Sequence, residues 1–331
     1  MPGPVRVKSS LISALSTVHP LSSPHHNAPI VIPLVLSANP GSKERQHMIG
    51  IIGVGDMGQP MAGHMVANGF DVLAYDIDAD RLAAAAAAGA TAASDLAELA
   101  TSTDMVVVCL RTDDQMEAVA DELVLRGRAG QLIVVAGTHS LHFMQRLASI
   151  FEPKEMRLID APVVFGAQGA KDGNLLSLCG GDAVDVERAR PVMMSYSRGV
   201  EHVGPLGAGQ LAKACNNLLH WVHCVANFET LAIAKRYGVD AQRMREVLFK
   251  CPGDNGTLRR WDSTRFTWQE KDMDFVLELA QNGGMVLPLT GQIDQLIKTL
   301  TAADVADLLY GTECTYLGRR VAPLAKADGG L

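Results

Sequence analysis

Residues 49–78, IGIIGVGDMGQPMAGHMVANGFDVLAYDID, constrain the fold more than any other part of this chain. The apolar run 49–54 leads into G-x-G-x-x-G at Gly53, Gly55 and Gly58. A helical pattern over 57–68 follows, with Gly69 suited to its C′ position. A second apolar run, 71–75, ends at the acid Asp76. A glycine triplet alone is a weak signal. Between a strand and a helix, with an acid at the tip of the next strand, it predicts a dinucleotide site. Gly53 permits the tight turn, Gly55 lets a pyrophosphate approach the backbone, and Gly58 allows close helix packing. Asp56 and Met57 stand where the helix begins, and its unpaired N–H groups suit phosphates. Asp76 is placed to accept hydrogen bonds from the adenosine ribose and to repel a 2′-phosphate. NAD is therefore favoured over NADP, and Arg81 is the feature that keeps NADP open.

The alternation continues along the chain. An alanine-rich helix over 79–88 closes at Gly89; strands follow at 104–110 and 132–136 with a helix over 114–125 between them, and 158–160 starts another strand. Strands and helices at this spacing predict a parallel sheet in a doubly wound Rossmann domain of α/β class. Near Gly207 the pattern changes. Residues 208–237 contain no proline and predict one helix of ~30 residues, about 45 Å long. Helical patterns follow at 241–249, 272–281, 289–300 and 305–310. The expected organisation is a dinucleotide-binding domain over 48–206 and an all-helical second domain over 207–331, joined by the long helix. Residues 1–47 are rich in Ser and Pro, carry His19, His25 and His26, and have no acid before Glu44. They read as a disordered extension, with an organelle transit peptide as the alternative and Met48 as a second candidate start. The expected location is cytoplasmic.

Composition narrows the function classes. A net charge of −7 with dispersed Lys and Arg leaves no basic stripe for nucleic acid. No apolar run approaches the ~20 residues that span a bilayer. The six cysteines lack C-x-x-C spacing and read as buried free thiols. Without H-E-x-x-H or clustered Cys and His, no metal is expected; without G-x-S-x-G, no hydrolase elbow is expected.

Reduction of a carbonyl needs a hydride donor and a proton donor. Lys213 and Asn217 are i, i+4 on the long helix and share a face. Burial and a neighbouring cation would bring Lys213 toward a useful pKa, and the Asn217 amide can orient a substrate. His220 shares that face, and His139 follows a strand end; both read more readily as packed residues than as catalytic ones.

Four ordered segments carry a family resemblance. GVGDMGQPMA at 53–62, DAPVVFGAQGAKDG at 160–173, GAGQLAKACNN at 207–217 and FTWQEKD at 266–272 resemble the signatures of the β-hydroxyacid dehydrogenases, over residues 48 to about 300. The resemblance implies hydride exchange between a nicotinamide and a hydroxyacid, with Lys213 as the acid/base. It implies that Leu110, Arg111, Gln115 and Thr138 line the nicotinamide end and that Lys271 lies near cofactor and substrate. It implies a homodimer or homotetramer built through the helical domain. The substrate loop departs from the family's S-G-G: here it is Val164, Phe165 and Gly166. A hydroxyl donor is lost and an aromatic ring gained, which predicts a bulkier or more apolar substrate, with Trp261 and Trp268 as further apolar wall or as core. An imine reductase and a non-catalytic NAD(H)-binding sensor are the rival readings. Retention of Lys213 and Asn217 argues against both.

Overall fold

A computed structural model describes residues 48–331. The readings of 1–47 as extension or transit peptide lie outside the described residues. The strands are β1 (Ile49–Ile52), β2 (Val72–Tyr75), β3 (Thr91–Ala92), β4 (Met105–Val108), β5 (Leu132–Val135), β6 (Arg157–Asp160), β7 (Val163–Val164), β8 (Leu175–Gly180) and β9 (Ser197–Gly204). They form one sheet in the order β3-β2-β1-β4-β5-β6-β8-β7, with β9 beside β8. The first six strands are mutually parallel, β8 runs antiparallel to β6 and β7, and β9 is parallel to β8. The order 3-2-1-4-5-6 is that of a Rossmann domain, whose ligand crevice lies where the order reverses, between β1 and β4.

Between the strands run α1 (Gly58–Ala67), α2 (Ala79–Ala87), α3 (Leu96–Ser102), α4 (Asp113–Arg126), α5 (Leu141–Phe151), α6 (Gly166–Lys171) and α7 (Ala183–Tyr196). They cover both faces of the sheet. Ile49, Ile51, Met105, Val107, Leu132 and Val134 pack on one side; Ile52, Val106, Val108, Ile133 and Val135 pack on the other. Burial on both faces explains why these strands are continuous apolar runs in the sequence rather than alternating ones.

The helical part comprises α8 (Ala208–Arg236), α9 (Ala241–Leu248), α10 (Gly256–Arg259), α11 (Gln269–Asn282), α12 (Pro288–Ile297) and α13 (Ala302–Tyr310). A short antiparallel hairpin follows, β10 (Cys314–Tyr316) and β11 (Arg319–Val321), which the helical pattern of the sequence did not anticipate. Trp221, Phe228, Leu231, Trp261, Met273 and Leu308 build its core. The start of α8 is fixed to the sheet by Asp160 at the end of β6. Its carboxylate accepts from Gly207 N–H and Gln210 N–H, both at 2.7 Å. That bond network places the first turns of α8 beside the strand tips.

One open reading is resolved here and one expectation changes. Trp261 is fully buried in the helical core, so it is packing and not a pocket wall. The thiols are free, but Cys215 is exposed and Cys109 and Cys251 are half-buried. Cys215 lies two positions beyond Lys213, which turns it off the inward face of α8. Among the described residues, no helix is long and apolar enough to cross a membrane.

Candidate active site

The glycine loop sits at the switch point with the geometry its sequence demands. Gly53 has φ +86°, and a Cβ there would meet the Cys109 carbonyl. A Cβ on Gly58 would strike the Gly53 carbonyl oxygen, so only glycine lets α1 begin this close to the loop. Gly55 faces only the Arg81 guanidinium, 3.6 Å from where a Cβ would stand. No side chain caps α1 at Met57, whereas Asp78, Thr112 and Ser140 cap α2, α4 and α5. An uncapped N-terminus behind an open glycine turn leaves N–H donors for phosphate oxygens, and Asp56 beside it is exposed. Asp76 closes the far side. Its Oδ2 accepts from Val54 N–H at 2.8 Å and its Oδ1 from Asp78 N–H at 2.9 Å. An ionised carboxylate has about four acceptor positions, so ribose hydroxyls can still bind while Asp76 pins the loop to β2. Arg81 is paired with Asp78 at 3.3 Å. These residues fit the adenosine and pyrophosphate parts of a dinucleotide.

The opposite rim gathers the other expected cofactor residues. Gln115 Oε1 accepts from Arg111 N–H at 3.1 Å, so Gln115 braces the loop that carries Leu110 and Arg111. Lys271, from the first turn of α11, donates to the Arg111 carbonyl at 2.7 Å and the Thr138 carbonyl at 3.3 Å. It thereby clamps the helical part onto the tips of β4 and β5. Arg111 lies over the half-exposed Trp268 ring, 5.7 Å from its centroid. Gln210 of α8 donates to the Gly137 carbonyl at 2.9 Å and accepts from His139 N–H at 3.1 Å. The buried His139 ring meets Asp113 at 2.7 Å and is a packed residue of this rim. Gln210 carried no sequence signal beyond its place in GAGQLAKACNN, and Asp113 carried none.

Lys213 lies between the two halves. Its Nζ donates to the Val163 carbonyl at 2.8 Å, at the foot of the substrate loop. Burial holds its pKa below the ordinary lysine value; the nearby Lys271 cation adds to this, and Asp272 opposes it. Asn217 and Trp221 follow at successive i+4 positions on the same face of α8. The Trp221 indole donates to Asp272 at 3.0 Å, and the Asn217 amide lies near the same carboxyl. Burial raises the Asp272 carboxyl, and Lys213 and these donors pull it back down. Asp272 was not among the expected site residues, although the K-D pair in FTWQEKD contains it. His220 donates to or accepts from Thr257 Oγ1 at 2.9 Å. Burial, then Arg260 and Lys213, push its pKa down to about 4, so it is neutral at physiological pH.

The substrate loop departs from expectation in its backbone as well as its sequence. Val164 is buried in β7 opposite Leu176. Phe165 takes the left-handed region, φ +85°, followed by Gly166 at φ +62°. For a residue with a Cβ this costs roughly 1–2 kcal/mol. The family glycine at this position supplies the conformation freely; here a bulky residue holds it. The Phe165 ring is met by two guanidiniums, Arg198 at 4.0 Å and Arg260 at 5.0 Å from its centroid. The expected apolar wall is thus an aromatic ring faced by cations.

A dinucleotide cradle at a Rossmann switch point, facing a buried lysine with a depressed pKa, defines a dinucleotide-dependent oxidoreductase. Residues 48–204 match the NAD binding domain of 6-phosphogluconate dehydrogenase. Residues 207–308 match the NAD-binding domain of NADP-dependent 3-hydroxyisobutyrate dehydrogenase. The NAD-dependent L-serine dehydrogenase of Pseudomonas aeruginosa is 31% identical over 63% of this chain and 72% of its own length. The 2-(hydroxymethyl)glutarate dehydrogenase of Eubacterium barkeri is 28% identical over 77% of this chain and 89% of its own length. A structure of Mycobacterium tuberculosis 3-hydroxyisobutyrate dehydrogenase with L-serine superposes with a TM-score of 0.72 at 26% identity, covering 79% of this chain and 96% of the other. The chain belongs to the β-hydroxyacid dehydrogenase family and is an NAD(P)-dependent oxidoreductase acting on CH–OH donors.

Proposed function

We propose that this enzyme interconverts a hydroxyacid and its carbonyl form with Lys213 as the proton carrier and NAD as the preferred cofactor. The observation that carries this reading is the buried Lys213 ammonium, tethered to the Val163 carbonyl beside Asp272. A nicotinamide held in this cradle would supply the hydride chemistry in both directions. In oxidation neutral Lys213 takes the carbinol proton as the carbonyl forms; in reduction protonated Lys213 returns it to the forming alkoxide. Asn217, one turn along α8 from Lys213, presents its carboxamide to the substrate, and Phe165 and Gly166 border the pocket together with Val164. Gly53, Gly55, Met57, Gly58 and Asp76 hold the adenosine diphosphate part, and Leu110, Arg111, Gln115, Thr138 and Lys271 border the nicotinamide. Asp76 with Arg81 already paired to Asp78 supports NAD over NADP, and the serine dehydrogenase relative is named as NAD-dependent.

The exposed apolar residues Leu211, Leu219 and Ile233 on α8 support a second copy docking along the helical domain, in a homodimer or homotetramer. The proposed location is the cytoplasm. The test of the acid/base assignment is Lys213→Ala. Turnover falls on the order of 10²–10⁴-fold while cofactor affinity holds; retention of half the wild-type rate removes the assignment. Two probe substrates share one reacting centre, 3-hydroxyisobutyrate and 2-(hydroxymethyl)glutarate, and differ by a carboxyethyl arm in place of the methyl group.

A further inference from the structure

Phe165 is a bulky residue in a left-handed conformation at the edge of the pocket. Backbone strain of this kind persists where the surroundings over-determine it, and it clusters at functional positions. What surrounds Phe165 is charge. Arg198 and Arg260 both lie against its ring. Neither guanidinium has a carboxylate partner among the described residues, and Arg260 makes only a long bond, 3.4 Å, to the Gly256 carbonyl. Its sequence neighbours behave differently: Arg245 is paired with Asp262 and Arg259 with Asp254. Arg260 is also near His220, which stands seven positions along α8 from Lys213. Thr257, three residues earlier, holds His220, and His220 feels the fields of both Arg260 and Lys213. His220 is neutral and Asp272 is engaged by the Trp221 indole. The Phe165 ring thus carries two exposed guanidiniums, neither paired with a carboxylate among the described residues.

We propose that Arg260, braced on Phe165, is the specificity-determining residue for a second acidic group on the substrate, so that the enzyme takes a hydroxy-dicarboxylate rather than a simple hydroxyacid. This rests on the reading of Lys213 as proton carrier. The lost loop hydroxyl at Val164 and the gained ring at Phe165 are then one change. The loop gives up a neutral donor near the carbinol and gains a platform that holds a guanidinium further out. Guanidinium recognition of carboxylate is directional and can use two parallel N–H donors. Arg198, on the same ring, is a positioning residue that keeps the ring from rotating away.

The experiment compares kcat/KM for the dicarboxylate probe against 3-hydroxyisobutyrate in the NAD-loaded wild type, Arg260→Gln, Arg260→Lys and Phe165→Gly. The wild type favours the dicarboxylate by about 10-fold or more. That ratio falls roughly 10- to 100-fold in Arg260→Gln, the effect of losing a charged hydrogen bond. It recovers in part in Arg260→Lys and falls in Phe165→Gly, where the platform is gone. A second readout uses glutarate, which has no hydroxyl and cannot turn over. It should protect the NAD-loaded wild type against thermal unfolding and protect Arg260→Gln far less. Equal ratios in wild type and Arg260→Gln, or equal protection by glutarate, overturn the proposal. Failure of the Lys213 reading shows itself elsewhere, as normal turnover in Lys213→Ala with glutarate protection intact.

Discussion

Lys271→Met separates two roles that one cation performs. Lys271 clamps α11 to the cofactor rim through the Arg111 and Thr138 carbonyls at 2.7 and 3.3 Å. Hydrogen bonds from a charged donor contribute about 1.5–3 kcal/mol. The longer bond is weak, and Lys271 is partly open to solvent, so about 1–2 kcal/mol is the expected loss for the pair. In a folded unit of this size that lowers Tm by about 2–6 °C. Because the clamp shapes the nicotinamide rim, the same loss appears as a roughly 5- to 30-fold weaker Kd for NAD, measured by cofactor fluorescence. The second role is electrostatic. The Lys271 cation helps hold the Lys213 pKa down, so removing it raises that pKa. In the proposed mechanism oxidation requires neutral Lys213, which exists above its pKa; the pH–rate profile for oxidation therefore moves to higher pH. In the reduction direction, where Lys213 must be protonated, the alkaline fall in rate moves upward too. A variant with unchanged Tm, NAD affinity within twofold and an unshifted profile refutes both roles.

Asp272→Asn removes the charge that favours protonated Lys213, so the oxidation profile moves to lower pH, opposite to Lys271→Met; a shift in the same direction contradicts the electrostatics. Gly58→Ala places a methyl against the Gly53 carbonyl; cofactor affinity falls about 10-fold or more as overpacking of about 1–3 kcal/mol pushes α1 from the loop, while the far-ultraviolet circular dichroism spectrum is retained. Asp76→Asn narrows the ratio of kcat/KM for NAD over NADP; a wild type that already prefers NADP contradicts the role given to Asp76.

Local pattern carried most of the architecture. The glycine turn and the apolar runs of β1, β2, β4 and β5 were legible because a parallel strand buried on both faces leaves a continuous apolar signature. The 29-residue α8 was equally plain. The hairpin β10–β11 was not, since its three-residue strands are too short to show a period. Among the site residues, Lys213, Asn217 and Lys271 were reachable from spacing and resemblance. Asp272 stood in the FTWQEKD segment, but its place beside Lys213 became visible only when α11 was seen to cross α8, because its partner Trp221 lies more than fifty positions away. The substitution at Phe165 was readable, but its meaning was not. A change from glycine to an aromatic suggests an apolar wall, whereas the fold brings Arg198 and Arg260, from two distant segments, onto the same ring.

Chemical rescue of Lys213→Ala tests the central claim most directly. The substitution removes the buried amine that donates to the Val163 carbonyl and leaves a cavity open to small primary amines. Turnover of the variant is measured as a function of added methylamine, ethylamine and their more acidic fluorinated analogues, with saturating NAD and hydroxyacid. The account predicts a saturable rise in rate from the depressed baseline, with rescue in oxidation stronger for the more basic amines once each is corrected for size. A baseline rate close to wild type, or a depressed rate that no amine raises, would contradict Lys213 as the group that carries the proton.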